Sequence, residues 1–569
     1  MTKALTKKEW QRITLFLACV AIAILPLALR GTSCGQDFDF HLESWMEAAR
    51  QWHQGVLYPH WVASANYGAG EPRFVFYPPL SWMLGAILGV ILPWTWTPIA
   101  FTAICLLAAG AGFHKLACEW MSADNAAIAA CLYAINPYTF FVIYERSACG
   151  ELLAAVLLPL LVLYALRQKP SAPQLALTIA ALWLTNAPAA VMGSYALAII
   201  AAVAAISKRR WTLIARAASG IALGLGLAAV YLIPAIYEQR WVEIARAIMP
   251  GMRIQDSFLF EHTGMPYHDQ VLHTASWIAV ALVLATAIAA ALTYRTRKPQ
   301  PLRRPLLALG IVIAFLLFPI SKIIWSTTPE LRFLQFPWRW LLVLAVIFAA
   351  FAGLSLREPN PGRHNKAFGA AAVLLLAAIL TTVAWKYFWL PCDDEDNVRA
   401  QIATLSQTGF EGTDEYTAKP ADNGGIQQNL PLIRVVSNPD GDEADSSIEE
   451  NPDWQPDSPD SHPDLQPAKI QIQRWQVEHM TATIQSPQPG FAILRLMDYP
   501  AWRVHVNGKS FPRPQRDDGL LTIPIAAGTS TIDVQYATTP DAWAGRAVSL
   551  ISIALWLALA AKTRRQRVL

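Results

Sequence analysis

The chain reads ITLFLACVAIAILPLALR at residues 13–30 and continues directly as GTSCGQDFDFH at residues 31–41. The first stretch has a single charged residue, at its end, and its length is close to the ~20 residues needed to cross a ~30 Å hydrocarbon core. The stretch is therefore predicted to be a membrane helix. The polar residues that follow it, Asp37, Asp39 and His41, are predicted to lie in a loop at the membrane surface.

Similar apolar runs recur along most of the 569 residues, of which 54% are hydrophobic and 15% charged, with a mean hydropathy of +0.31. We count thirteen candidate segments: 13–30, 79–93, 97–117, 125–143, 150–167, 174–187, 188–206, 213–234, 275–293, 305–324, 338–356, 367–386 and 546–561. The sequence thus predicts a polytopic α-helical membrane protein. The small net charge of +4 gives no support to nucleic-acid binding.

The distribution of basic residues predicts the orientation, because short loops rich in Lys and Arg stay in the cytoplasm. Such residues collect at the N-terminus, at 208–210, in the 294–305 and 357–366 loops, and in the C-terminal tail. Both termini are then cytoplasmic, in a bacterial inner membrane, and the loops 31–78, 235–274 and 387–545 face outward. The first helix has no obvious cleavage site, so we interpret it as retained.

Two cytoplasmic termini require an even number of crossings, whereas thirteen segments were counted. We therefore expect about 12 spans, with 79–93 as the segment that does not cross, because it is short and starts at Pro78 and Pro79. The rival is 174–206, where residues 186–188 (NAP) are either a turn between two helices or a kink in one. The sequence leaves both alternatives open.

Composition divides the chain into four predicted domains. Residues 1–392 form the transmembrane domain with its external loop. Residues 393–467 are rich in Asp, Glu, Pro and Ser and are predicted to be an acidic flexible loop. Residues 468–540 alternate in strand period and are predicted to form an extracytoplasmic β-sandwich. Residues 541–569 supply a final helix and a basic tail.

Several loop motifs, taken in order, resemble one family. They are QDFDFH at 36–41, YGAGEP at 67–72, FYPPL at 76–80, YERSACGE at 144–151, LQFPWR at 334–339 and YPAW at 499–502. The chain resembles, over nearly its whole length, the bacterial and archaeal membrane proteins labelled "6-pyruvoyl-tetrahydropterin synthase-related". Those proteins are similar to the GT-C superfamily of glycosyltransferases.

The resemblance implies an integral-membrane glycosyltransferase with a GT-C-like fold. Its expected partners are the membrane lipid, a polyprenyl-phosphate-linked sugar donor, and a glycan, lipid or protein acceptor. The matching catalytic positions are Asp37 and Asp39, which in such enzymes serve as a general base or as metal ligands. With Glu151, they are also the candidate ligands for a divalent metal, Mg²⁺ or Mn²⁺.

The predicted substrate-binding residues lie within these loop motifs. These are His41, Tyr144, Arg146, Glu151 and Arg339. Glu151 is preferred over Glu145 because the family pattern resembles an Arg followed five residues later by Glu. Arg339 is placed to bind the donor phosphate as a charge-assisted donor, with membrane-interface anchoring as the alternative.

The conformation of residues 37–41 decides how the acidic pair is arranged. In a strand, Asp37 and Asp39 would point to one side, whereas in a helix they would diverge. Asp37 and His41 would share a face only in a helix.

Two other functions remain open from the sequence alone: a lipid-linked-glycan transporter or flippase, and a non-catalytic envelope scaffold. A transporter would favour ionisable residues within the spans, and the middles of these segments are nearly free of charge. Among the seven cysteines, Cys34, Cys149 and Cys392 are predicted to face the outside, which allows one disulfide without indicating its pairing.

Overall fold

The computed structural model describes residues 6–167, 171–295, 301–356, 364–421, 426, 428, 430–440 and 466–568. The α-helices are α1 Lys7–Arg30, α2 Phe38–His53, α3 Arg73–Phe76, α4 Pro79–Ile91, α5 Thr97–Ala117, α6 Ala123–Ala134, α7 Pro137–Tyr144, α8 Cys149–Ala154, α9 Leu158–Leu166, α10 Ala172–Thr185, α11 Ala187–Lys208, α12 Thr212–Leu227, α13 Ala229–Glu238, α14 Pro266–Arg295, α15 Arg303–Leu316, α16 Lys322–Thr327, α17 Leu341–Ser355, α18 His364–Tyr387, α19 Val398–Ser406 and α20 Pro540–Val568. The strands are β1 Ile433–Val436, β2 Lys469–Gln476, β3 His479–Ser486, β4 Gly490–Met497, β5 Trp502–Val506, β6 Leu520–Ile525 and β7 Gly528–Tyr536.

The helical part of the described chain is that of a polytopic membrane protein. Nine of its helices, with α6–α7 and α8–α9 each counted as one, are long and apolar enough to cross a membrane by length and composition. Two further pairs are bent, by 74° between α12 and α13 and by 99° between α15 and α16, and raise the number to eleven if each pair is one span. The predicted fold class is confirmed, with nine to eleven candidate spans by this criterion where about 12 were expected.

Two segments were candidates for the one that does not cross the membrane, and both contain a short helix. The 79–93 segment forms α4, of 13 residues, and the first part of 174–206 forms α10, of 14 residues. At 1.5 Å per residue each is about 20 Å long, less than the ~30 Å hydrocarbon core. The 174–206 stretch is two helices, because Asn186 is extended and caps α11 through the amide of Ala189. Length alone does not distinguish the two candidates.

The C-terminal strands form two antiparallel sheets, in the orders β1–β4–β6 and β2–β3–β7–β5, around a shared apolar core. The alternation of polar and apolar residues correctly predicted strands in 468–540. β1 was not predicted, since it lies in the segment expected to be flexible.

The apolar core of the sheets extends into the first external segment. Trp61, Ala69, Val75 and Phe76 are buried in the same cluster as the strands. The amide of Met497 in β4 also donates to the carbonyl of Ala69, at 2.8 Å. The sheets are therefore fastened to the segment that carries the predicted site.

The first part of the predicted flexible loop is ordered, which corrects that expectation for residues 393–421. Asn397 caps α19 through the amides of residues 399 and 400, and Phe410 and Tyr416 are buried. The acidic composition averaged over 393–467 concealed this short amphipathic stretch, whose apolar side chains pack against other parts of the chain. Residues 441–465 of the predicted loop lie outside the described residues.

Candidate active site

A backbone pairing places Asp37 beside Arg146. The segment 33–37 lies along the turn that follows α7, and the amide of Asp37 donates to the carbonyl of Arg146 at 2.9 Å. Gly35 permits this approach, because a Cβ there would lie 2.4 Å from the carbonyl oxygen of Glu145. Contact between the two polar clusters identified in the sequence thus depends on the absence of a side chain at Gly35.

Residues 38–53, predicted as part of a loop, form the helix α2, and this resolves the geometry that the sequence left open. Asp37 is at the N-cap position and Asp39 is in the first turn. The amide of His41 donates to the carbonyl of Asp37 at 3.2 Å, one turn away. Asp37 and His41 therefore lie on one side of α2, whereas Asp39 points elsewhere.

A cleft of about 1980 Å³ opens at the N-terminal end of α2. It is lined by parts of the 31–78 segment, residues 146–151, 244–272 and 333–339, and the stretch that follows α18. Of the seven predicted site residues, six line the cleft: Asp37, Asp39, His41, Arg146, Glu151 and Arg339.

Tyr144 is the exception and corrects the prediction of a substrate-binding role. Its ring is fully buried, and its hydroxyl donates to the carbonyl of Ala23 in α1 at 2.7 Å. Tyr144 thus joins α7 to α1, because its position at the end of a helix turns the side chain toward the neighbouring helix and away from the cleft.

Arg146 lies at the centre of a buried polar network. Its Nη1 donates to Oε2 of Glu151 at 2.5 Å, and its Nη2 is 3.4 Å from Oδ2 of Asp37. The hydroxyl of Tyr138 donates to the other oxygen of Glu151, Oε1, at 2.5 Å. Nε of Arg339 is 3.9 Å from Oε2 of Glu151. Both oxygens of Glu151 are thus engaged by donors from the protein.

The predicted metal-ligand set does not come together. Among the described residues, no group of three or more His, Cys, Asp and Glu side chains is arranged to hold a metal ion. Glu151 is engaged by Arg146 and Tyr138, while Asp37 and Asp39 diverge on α2. The use of Mg²⁺ or Mn²⁺ remains a prediction that this geometry does not support.

Asp39 has the environment of a proton-transfer group. Burial, with additional repulsion from Asp396 and Asp393, raises the pKa of its carboxyl to about 7. Its Oδ1 has no hydrogen-bond partner among the described residues. A carboxyl that titrates near neutral pH is suited to general acid–base catalysis.

His41 is a neutral group in this site. Burial lowers the pKa of its imidazole to about 4, and only 3% of the residue is exposed. The ring lies against those of Phe40, Trp45 and Tyr77. An uncharged imidazole offers hydrogen bonds to a ligand without attracting or repelling its charge.

A disulfide that the sequence did not specify brings an acidic turn to the cleft. Cys34 is bonded to Cys392, 358 residues later, and the amide of Cys34 donates to the carbonyl of Leu390 at 3.0 Å. The side chain of Asp393 then accepts hydrogen bonds from the next amides and closes the turn. The sequence feature that could have indicated this turn is Cys392, which directly precedes four acidic residues.

A second buried cluster joins the first external segment to the stretch after α19. Arg73 is 1% exposed, and its guanidinium bonds Glu71 at 2.5 Å, Glu43 at 3.4 Å and Thr413 at 3.1 Å. Burial raises the pKa of Glu43 to about 8, against the opposing effect of Arg73. Sequence reasoning missed Arg73 and Glu43, although Glu71 belongs to the YGAGEP motif.

Charged side chains of both signs line the cleft. Arg146 and Arg339 lie together beside Glu151, at what we call the arginine end. Seven further carboxyl groups form what we call the acidic wall: Asp39, Asp394, Glu395, Asp396, Glu411, Asp414 and Glu415. Arg73 and Arg246 also line the cleft. The cleft therefore offers both guanidinium and carboxyl groups to a bound molecule.

No protein-family model matches the sequence, and no curated protein is significantly similar to it. The family suggested by the loop motifs thus remains a prediction.

Solved structures provide distant likenesses. The arabinofuranosyltransferase AftD from Mycobacteria is 20% identical over 70% of this chain and 28% of that chain, with a TM-score of 0.44. A variant of AftD is 16% identical over 74% of this chain and 34% of that one, with a TM-score of 0.45. The chain thus spans only 28–34% of the length of these proteins.

Proposed function

We propose that the protein is an integral-membrane glycosyltransferase that moves a sugar from a polyprenyl-phosphate-linked donor to an extracytoplasmic acceptor, which is a glycan, lipid or protein. The observation that carries this proposal is the cleft itself. At the ends of apolar helices, it places Asp39, whose pKa is about 7, together with the arginines Arg146 and Arg339. Sugar transfer from a lipid phosphate needs a proton acceptor and an anion-binding group of this kind.

The proposed step transfers one sugar. A hydroxyl oxygen of the acceptor attacks the anomeric carbon and forms the new glycosidic bond, while the bond from that carbon to the phosphate oxygen breaks. The hydroxyl proton passes to the carboxylate of Asp39, and the electron pair leaves with the polyprenyl phosphate. We assign the base to Asp39 in preference to Asp37, because Asp37 is directed toward Arg146.

The arginine end of the cleft suits the donor phosphate. The Nε atoms of Arg146 and Arg339 are buried and have no hydrogen-bond partners among the described residues. Guanidinium groups bind phosphate oxygens through charge-assisted hydrogen bonds, and they stabilise the charge that accumulates on a leaving phosphate.

The acidic wall suits the acceptor. Carboxylates accept hydrogen bonds from sugar hydroxyls, and the wall repels negative charge. An uncharged glycan therefore fits this part of the cleft better than an anionic one.

The test measures release of polyprenyl phosphate and transfer of labelled sugar by purified protein in lipid nanodiscs. Wild-type protein is expected to turn over at least one polyprenyl-phosphate sugar, and Asp39→Asn to be slower by about 10²–10⁴-fold. Asp440→Asn is the matched control, since Asp440 is exposed next to β1 and does not line the cleft. Full activity in the double variant Asp37→Asn/Asp39→Asn would refute the proposal.

A further inference from the structure

Arg339 lies close to a buried carboxylate but does not form a hydrogen bond with it. Its Nε is 3.9 Å from Oε2 of Glu151, beyond hydrogen-bonding distance, and has no other partner among the described residues. The nearer donors to Glu151 are Arg146, on Oε2, and Tyr138, on Oε1, each at 2.5 Å.

Tyr138 lies behind Glu151 and not in the cleft. Its side chain is fully buried in α7, and it is absent from the residues that line the cleft. A hydrogen bond from its hydroxyl satisfies one oxygen of a buried carboxylate, an atom that would otherwise be costly to leave unpaired.

We propose that Tyr138 is a positioning residue that keeps Arg339 available for an anionic ligand by occupying Oε1 of Glu151. This inference rests on the proposed function only in identifying that ligand as the phosphate of the lipid donor. Without the hydroxyl, Oε1 lacks its donor, and Arg339, whose unpartnered Nε is 3.9 Å from the other oxygen of the same carboxylate, can move to replace it. Arg339 then closes onto Glu151 and is withdrawn from the phosphate.

Tyr138→Phe tests this with little change of shape. Binding is measured with farnesyl phosphate as the probe and farnesol as its uncharged counterpart, on the purified full-length protein. We expect Tyr138→Phe to weaken binding of farnesyl phosphate by about tenfold, the effect of redirecting one charge-assisted hydrogen bond, and to leave farnesol unchanged.

Tyr133→Phe is the matched control. Tyr133 is also a buried tyrosine of the same span, but its hydroxyl donates to the carbonyl of Ala155 at 2.7 Å. This variant should keep farnesyl phosphate binding within about twofold of wild type. In the transfer assay, Tyr138→Phe should raise the donor KM and also lower kcat, because Arg339 stabilises the leaving phosphate as well as the bound donor, whereas Tyr133→Phe should change neither.

A double-mutant cycle shows whether Tyr138 acts through Arg339. In an Arg339→Gln background, Tyr138→Phe should have no further effect on farnesyl phosphate binding. The inference would be overturned if Tyr138→Phe weakened farnesyl phosphate binding further in the Arg339→Gln background, or if it weakened farnesol binding equally. It would also be overturned if Tyr138→Phe left farnesyl phosphate binding unchanged, or if the wild type did not bind farnesyl phosphate. A wild type that binds the probe but transfers no sugar would instead overturn the proposed function and leave this test intact.

Discussion

Asp37 and Asp39 are separated by one residue, yet their surroundings differ in charge. Asp37 is 3.4 Å from the guanidinium of Arg146. Asp39 is partly buried and repelled by Asp396 and Asp393. The difference arises because α2 begins at Phe38, so that successive side chains turn by about 100° around the helix. Two identical residue types thereby acquire different surroundings.

The pH dependence of transfer should report the titration of Asp39. Its folded pKa is about 7, and a protonated carboxyl cannot accept the proton of the acceptor hydroxyl. We therefore expect the wild-type kcat/KM to fall as the pH drops below about 7. Asp37→Asn should keep this acid limb, whereas Asp39→Asn should abolish it and lower the rate by about 10²–10⁴-fold. Rates measured from pH 5 to 9 would contradict the assignment if Asp39→Asn retained the limb.

At the scale of elements, the site depends on short segments held against one another. One is the acidic turn after Cys392, which the disulfide to Cys34 ties to the residues just before α2. The other is the segment 33–37, held against the turn after α7 by backbone hydrogen bonds. Each gives rise to a prediction.

Neutralising the acidic turn should shift the pH profile. Asp393→Asn/Asp396→Asn removes the two charges that repel the carboxylate of Asp39, so the pKa of Asp39 falls and the acid limb of kcat/KM moves to lower pH. Burial, the larger cause of the raised pKa, remains. Glu395→Gln, on the same turn, is the control and should move the limb less. The turn would be shown not to act on Asp39 if the acid limb of kcat/KM moved to higher pH, or if it moved by the same amount in Glu395→Gln as in the double variant.

Gly35→Ala should separate the two segments that meet at Arg146. The added Cβ would lie 2.4 Å from a backbone oxygen, too close to accommodate without movement of the chain. A displacement of about 1 Å in a catalytic site can lower the rate by about 100-fold, which is the loss of transfer we expect. Gly310→Ala is the control, because its Cβ would have no neighbour closer than 3.8 Å. Wild-type activity in Gly35→Ala would mean that the backbone pairing of segment 33–37 with the turn after α7 is not needed to position the catalytic residues.

At the scale of the whole molecule, the residues that line the cleft predict which short helix does not cross. Tyr77 and Pro78, just before α4, line the cleft, and so does Arg146, just after α7. Between them, α5 and the joined α6–α7 are both long enough to cross. Two crossings would return the chain to its starting side, so we expect that α4 does not cross, in line with the choice of 79–93; this stays a prediction.

By the same reasoning, we expect the other short helix, α10, to cross. Gly150 at the start of α8 lines the cleft, the chain leaves it along α8–α9, and Asn186 at the end of α10 lines it again. Local thinning of the bilayer accommodates a helix of this length. If α10 and each of the two bent pairs are counted as one crossing, the described helices give twelve candidate crossings, an even number.

Cysteine labelling tests this topology. In a variant that keeps the Cys34–Cys392 disulfide and lacks the other cysteines, Thr95→Cys and Ser437→Cys should react with a membrane-impermeant reagent from outside the cell. Ser207→Cys should react only after lysis. All three positions are exposed. Protection of Thr95→Cys in intact cells would mean that α4 crosses, and labelling of Ser207→Cys would reverse the orientation predicted from the basic loops.

Much of the fold and part of the site could be predicted from the sequence. Hydrophobic runs, alternation in strands such as β3 and β7, and clusters of polar residues at the ends of apolar segments are local patterns. They located candidate spans and the sheets. The seven predicted site residues came from the loop motifs, and six of them line the cleft. Tyr144 was misplaced because proximity along the chain does not indicate which way a side chain points from a helix end.

What the sequence determined by itself about this protein is its class, a helical membrane protein with C-terminal sheets, and the polar segments from which its cleft is built. Only the tertiary structure decided the pairing of Cys34 with Cys392, the contact of Asp37 with Arg146, and the acidic surroundings of Asp39. Each of these depends on segments that are far apart in the chain and meet only when the helices pack, whereas periodicity and composition report only on neighbouring residues.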